Sequence, residues 1–210
     1  MGVLLARAIL YDRTVEERGQ HSEADAAALD SMVARARAGD RDAFDGLVRR
    51  FRNEVFALAY HFVRNREEAW DISQEVFIKA YRSLERFRGD AGFKTWLMRI
   101  TANHCKDQFK KRRLATVRYD GQVGREPASP SATPDRALEV AELGRAIETA
   151  VDALPPKQRM AFVLREYQGL SYQEMAEVMK CNIGTVMSRL HHARRRLQNT
   201  LTLMGVMEGK

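Results

Sequence analysis

The sequence predicts an all-α protein made of two small helical domains joined by a flexible linker, and three observations lead there. Apolar residues recur at three- and four-residue steps almost throughout, and no stretch sustains the period-two alternation of a strand. Residues 114–133 break that rhythm with Gly, Pro, Ser and Ala, a composition whose twenty residues would reach about 25 Å if flexible. Charge falls in blocks: residues 41–113 carry 17 basic and 10 acidic side chains, residues 114–152 carry 4 and 7, and residues 153–210 carry 9 and 4. Two basic bodies around an acidic connector suit an anionic partner gripped twice. At 210 residues and 45% hydrophobic composition the chain can bury a core in each body.

Each helix has its own signals. The first is expected from Ser22 to Ala38, stopped by Gly39. Asp40 can cap the second, "RDAFDGLVRRFRNEVFALAYHFV", in which Phe44, Leu47, Val48, Phe51, Val55, Leu58, Ala59 and Phe62 make one apolar stripe. Asn65 can cap the third, "REEAWDISQEVFIKAYRSLERF", with Glu67 and Glu68 placed to favour the helix dipole. "RGDAG" interrupts, and "FKTWLMRITANHCKDQFKKRR" forms a fourth helix with a strongly basic end. After the linker, Thr133 and Pro134 supply a cap and first-turn proline for a helix reaching about Ala153, and "LPPKQR" opens another that ends at Gly169. Ser171 and Glu174 form an S-x-x-E capping box, and Asn182 can cap the last helix. The expected units are an unassigned extension (1–21), a first domain (22–113), the linker (114–133) and a second domain (134–204).

Several function classes drop out. Cys105 and Cys181 form no C-x-x-C pair, which favours a reducing compartment over a disulfide framework. "MGVLLARAIL" is interrupted by Arg7 and too short to span a bilayer, so no membrane insertion and a cytoplasmic location are expected. His104, Cys105, Cys181, His191 and His192 fit no standard zinc spacing, and phosphate-loop and nucleophile-elbow motifs are missing. No catalytic residue, metal or cofactor is expected.

The stretch "NIGTVMSRLHHARRRL", residues 182–197, carries the strongest signal. At about 100° per residue, Ile183, Val186, Leu190, Ala193 and Leu197 share one side, and Gly184, Ser188, His191 and Arg195 share the other, flanked by Thr185 and His192. The outward side is small at its start and cationic further on, as a helix entering the major groove requires; a solvated basic helix would show the same cations. With its neighbours, "ALPPKQRMAFVLREYQGLSYQEMAEVMKCNIGTVMSRLHHARRRL" resembles region 4 of the extracytoplasmic-function sigma factors, a branch of the bacterial sigma-70 superfamily. The resemblance implies a helix-turn-helix that reads the minus-35 promoter element and touches the flap of core RNA polymerase. It places Arg165, Gly184, Thr185, Ser188 and His191 against DNA, whereas Met187 and His192 occupy positions where relatives usually carry Lys or Arg. Arg195 completes that set.

The first basic block, "DISQEVFIKAYRSLERFRGDAGFKTWLMRITANHCKDQFKKRR", resembles region 2 of the same branch. Asp71, Gln74, Glu75 and Ile78 recur at helical steps as an acidic and apolar strip, which suits a basic helical partner or an ordinary exposed face. By resemblance the partner is the clamp helices of the polymerase's largest subunit. Capturing a base from melted DNA needs a small pocket, stacking surfaces and cations. The resemblance assigns that minus-10 role to Arg88, Gly89, Asp90, Ala91, Phe93 and Asn103; Trp96, Arg99 and Lys106 lie alongside. Phe93 and Trp96, three apart, suit a core more often than a stacking surface. "KKRR" at 110–113 is read as a phosphate-facing patch.

The implied function is a sigma factor that binds core RNA polymerase and directs promoter-specific initiation, reading minus-35 as duplex and minus-10 as melted strand. Such proteins are commonly held by an anti-sigma factor. The alternatives are a free-standing helix-turn-helix regulator, which would normally bring a sensory domain with parallel strands, and a sigma-like decoy that engages proteins alone.

Overall fold

The computed structural model describes residues 23–118 and 136–206, with side chains described for 25–108 and 142–206. The extension and most of the linker, including the Thr133-Pro134 helix start, lie outside these residues, as do the side chains of the 110–113 basic run. Eight α-helices occur among the described residues: α1 (Glu23–Arg37), α2 (Arg41–Val63), α3 (Arg66–Ser83), α4 (Phe93–Arg118), α5 (Arg136–Asp152), α6 (Pro156–Phe162), α7 (Tyr172–Met179) and α8 (Ile183–Leu203). No strand occurs among them. The helix that was expected to give way to linker at residue 114 continues to Arg118.

Side-chain capping fixes where four of these helices begin. Asp40 accepts from the Ala43 amide at 3.0 Å and Asn65 from the Glu68 amide at 2.9 Å, so α2 and α3 start where the sequence places them. Gly39, at φ 96°, takes the left-handed turn that separates α1 from α2. Packing of α2 against α1, α3 and α4 buries Phe44, Leu47, Phe51, Val55, Leu58 and Ala59, most of the expected stripe. Val48 and Phe62 lie at its half-buried margin.

In the second domain α8 packs on α5, α6 and α7. Between α6 and α7 the backbone opens into one π turn, Val163–Tyr167, closed by the Gln168 amide donating to the Val163 carbonyl at 3.1 Å. The capping box is complete: the Glu174 amide donates to Ser171 Oγ at 3.3 Å, and the Ser171 amide donates to Glu174 Oε2 at 2.8 Å. Lys180, at φ 52°, makes the tight turn, and Asn182 then caps α8 by accepting from the Thr185 amide at 2.7 Å. One expectation fails here. Ile183 does not join the buried side of α8: it borders an open hollow with Gln173, Ala176 and Glu177 of α7 and stays 40% exposed.

The two domains are docked in this structure, chiefly through α4 against α7. Thr95 Oγ1 donates to Glu174 Oε1 at 2.8 Å, and Lys94 Nζ donates to the Gln168 carbonyl at 2.7 Å. Gln168 Nε2 donates to the Glu54 carbonyl at 3.2 Å, Arg159 Nη1 donates to the His61 carbonyl at 3.2 Å, and Arg64 pairs with Asp152. The His61 ring lies 4.5 Å from that of Tyr167.

His61 is therefore held neutral at the seam. Burial first, then the like charges of Arg64 and Arg159, push its pKa from 6.5 down to about 4. A group with a depressed folded pKa binds its proton more readily once released to water. Its contribution to docking is thus intact above pH 6.5, falls as pH drops towards 4, and changes no further below. The window spans on the order of 3 kcal/mol, an upper bound on what docking loses, because Arg64 stays beside His61 when the bodies part. Paired fluorophores on α2 and α7 should report domain separation over that range, and His61→Leu should flatten the response; an unchanged titration in the variant would assign the acid sensitivity elsewhere.

Candidate docking face and nucleic-acid interfaces

α3 buries Ala69, Ile72, Ser73, Val76 and Ala80, which turns Asp71, Gln74, Glu75 and Ile78 outward together. Trp70 and Tyr81 are exposed on the same helix, extending the strip to an aromatic at each end. Trp70 packs on Phe56 at 4.9 Å between ring centroids, and Tyr81 meets Phe44 edge-on at the same separation. Both fall in the steps 70, 74, 78 and 81, so the period that found Gln74 and Ile78 could have found them too.

Behind this strip, α3 and α4 enclose an open cleft of about 430 Å³ lined by Lys79, Arg82, Ser83, Ile100, Asn103, His104 and Asp107. Asn103 thus faces a pocket bearing cations, an apolar wall and a carboxylate. Lys79 and Arg82 were missed by the sequence reading because their proximity to Asn103 is tertiary, set by how α3 crosses α4. His104 is buried between the strip and the cleft: its Nε2 lies 3.3 Å from Glu75 Oε2, and Nδ1 is hydrogen-bonded to Lys79 Nζ.

Of the other expected minus-10 residues, Arg88, Gly89 and Asp90 are exposed and Ala91 is half-buried in the loop before α4, where Gly89 adopts φ 81°. Phe93 and Trp96 require correction. They are 4% and 8% exposed and pack with Phe87 in a ring cluster at 5.1–5.9 Å, so neither offers a free face for a base. They shape the floor of the loop. Arg99 is half-buried, and Lys106 is exposed but lies near the like charges of Lys180 and Arg189, outside the cleft that holds Asn103.

On α8, burial of Val186, Leu190, Ala193, Leu197 and Leu201 leaves Gly184, Met187, Ser188, His191, His192 and Arg195 exposed and Thr185 half-buried. At Gly184 the only atom near an added Cβ would be Asn182 Oδ1 at 3.6 Å, so another molecule can approach that backbone closely. The His191 and His192 rings sit 5.6 Å apart. Arg165 is placed differently from expectation. Its Nη1 donates to the Leu170 carbonyl at 2.9 Å and its guanidinium lies 4.8 Å from the Tyr172 ring centroid, so much of its bonding capacity secures the turn into α7.

Glu174 is braced similarly. Burial works against its charge, but hydrogen bonds from Ser171 and Thr95 and the nearby Lys94 hold its carboxyl below the usual range. Burial pushes the Cys105 thiol up to about 12, which leaves it a packing residue. No group of three or more metal-ligating side chains, and no helix long and apolar enough to cross a membrane, occurs among the described residues.

Comparison with known proteins agrees with this layout. Residues 47–115 match Sigma-70 region 2, and residues 144–197 match Sigma-70, region 4. The RNA polymerase sigma-H factor of Pseudomonas aeruginosa is 38% identical over 179 residues, covering 81% of this chain and 92% of its own length. The ECF RNA polymerase sigma-E factor of Haemophilus influenzae is 38% identical, with 81% and 94% covered. Among solved structures, the sigma factor RpoE of Bartonella quintana, in complex with the anti-sigma factor NepR, superposes at a TM-score of 0.65 with 27% identity, covering 76% of this chain and 96% of that one. CnrH, solved with the cytosolic domain of CnrY, gives a TM-score of 0.61 at 26% identity, covering 82% and 96%. With two helical bodies in the order of regions 2 and 4, and relatives this similar along nearly their whole length, the chain belongs to the extracytoplasmic-function branch of the sigma-70 family of RNA polymerase sigma factors.

Proposed function

We propose that this sigma factor docks on core RNA polymerase through Asp71, Gln74, Glu75 and Ile78, fixes register upstream with α8 in the minus-35 duplex, and holds a melted minus-10 base in the cleft beside Asn103. The single observation that carries this reading is the outward face of α8. Its small residues and its cations lie on the side the core leaves exposed, with an open backbone at Gly184. Arg195 supplies charge to phosphates, while His191, His192, Ser188 and Thr185 supply short hydrogen-bonding groups. The α3–α4 cleft adds the second grip, because Lys79 and Arg82 sit beside Asn103 where a displaced strand needs both charge and a hydrogen-bonding amide.

The chemistry of transcription belongs to the polymerase, and the chain contributes selectivity, acting in the cytoplasm where polymerase and DNA meet. Two solved relatives are held by a second protein, one of them an anti-sigma factor by description, and we infer a similar partner for this chain.

Asp71→Lys with Glu75→Lys should weaken core binding about a hundredfold or more in a competition pull-down, with Asp71→Lys alone, whose side chain is exposed, losing most of it. Retained holoenzyme formation by both variants would remove the docking face. Asn103→Ala should slow promoter melting about five- to tenfold, read by thymine reactivity to permanganate, and leave binding to a minus-35 duplex unchanged. Arg195→Ala should weaken promoter binding across sequences and lower the slope of log affinity against log salt by about 1.

A further inference from the structure

We propose that the start of α8 reads thymine methyl groups, with Met187 and Ile183 as the determinants of an A·T preference in the upstream promoter element. The inference rests on the assignment of α8 to duplex DNA and adds which bases it selects. Val186, Leu190, Ala193, Leu197 and Leu201 are at most 2% exposed, whereas Met187 is 52% and Ile183 40% exposed; the exposed leucine of this helix, Leu203 at 89%, lies at its far end. The two are four residues apart and therefore adjacent on one face. Gly184 between them leaves room for close approach of the backbone.

The guanidinium groups nearest this patch are engaged elsewhere. Arg189 Nη1 lies 3.4 Å from Cys181 Sγ, Arg194 pairs with Glu166 at 3.0 Å, and Arg165 donates to the Leu170 carbonyl. Arg195, an exposed cation on the neighbouring face with Ser188 and His191, is eight residues past Met187, about 12 Å along the axis and about 80° around it. A bidentate contact to guanine O6 and N7 needs a free arginine or lysine near the bases, and the first two turns of α8 carry only Arg189, half-buried and turned towards Cys181. They provide two apolar side chains and the hydroxyls of Thr185 and Ser188. Of the four bases only thymine displays a methyl group in the major groove, and an unbranched thioether can adjust its rotamers to cover one. The cations further along the helix hold the duplex in place, so the apolar pair faces base edges.

The test uses holoenzyme reconstituted with core polymerase. Selection from promoters randomised over the upstream element should enrich T·A pairs at two neighbouring positions. Replacing each such thymine by uracil, which removes only the methyl, should weaken binding about three- to fourfold. Met187→Ala should erase the distinction between thymine and uracil at one position, and Met187→Arg should shift the selected base to guanine; thermal unfolding confirms that each variant is folded. Indifference of the wild type to uracil, or full discrimination retained by Met187→Ala, overturns the proposal. Indifference to uracil with weakened holoenzyme assembly in Met187→Ala also overturns it and gives the patch to a protein partner. If wild-type holoenzyme enriches no sequence at all, the duplex-reading role of α8 falls as well.

Discussion

A helix in a globular body can bury only one stripe, and at about 100° per residue that stripe decides which residues are left for water or partners. This phase constraint governs the molecule. In α3 burial of Ile72, Ser73, Val76 and Ala80 turns Asp71, Gln74, Glu75 and Ile78 to the surface. In α8 burial of Val186, Leu190, Ala193 and Leu197 does the same for Gly184, Ser188, His191 and Arg195. The caps at Asp40, Asn65, Ser171 and Asn182 set the starting angle from which that phase runs. Function is thus carried by the complement of the core pattern.

Because the controlling variable is local, much of the candidate site was legible in the sequence. Four caps, the Gly39 stop and the outward face of α8 follow from side-chain chemistry within a few residues. What failed did so where partners are distant or covering elements run out. Ile183 has the right phase for burial but sits in a first turn that α7 flanks only across an open hollow. Phe93 and Trp96 flank a glycine-rich loop as stacking residues would, yet Phe51 and Phe87 close over them. Lys79 and Arg82 acquire their meaning only when α4 brings Asn103 across from them. The π turn at Val163–Tyr167 left no mark in the pattern, because the helix ends there and no later turn carries the shifted phase.

The docking of the two domains was equally invisible. Its contacts join Glu54 to Gln168, His61 to Arg159 and Thr95 to Glu174, residues far apart in sequence and on no common period. Several of the bonds involve backbone carbonyls, which any residue type supplies. The seam is polar in its directional contacts, a character associated with interfaces that open and close. Placing Lys94 and Thr95 in it occupies the first turn of α4, immediately after the loop expected to meet melted DNA.

Glu174 shows how such a seam can be disengaged cheaply. Its Oε2 receives the Ser171 amide and hydroxyl, while Oε1 receives the Thr95 hydroxyl. One oxygen serves the start of α7 and the other serves the neighbouring body. When the bodies part, water can take the place of Thr95 while the bonds that launch the helix stay made. Helix α7 can therefore part from α4 with its first turn already formed.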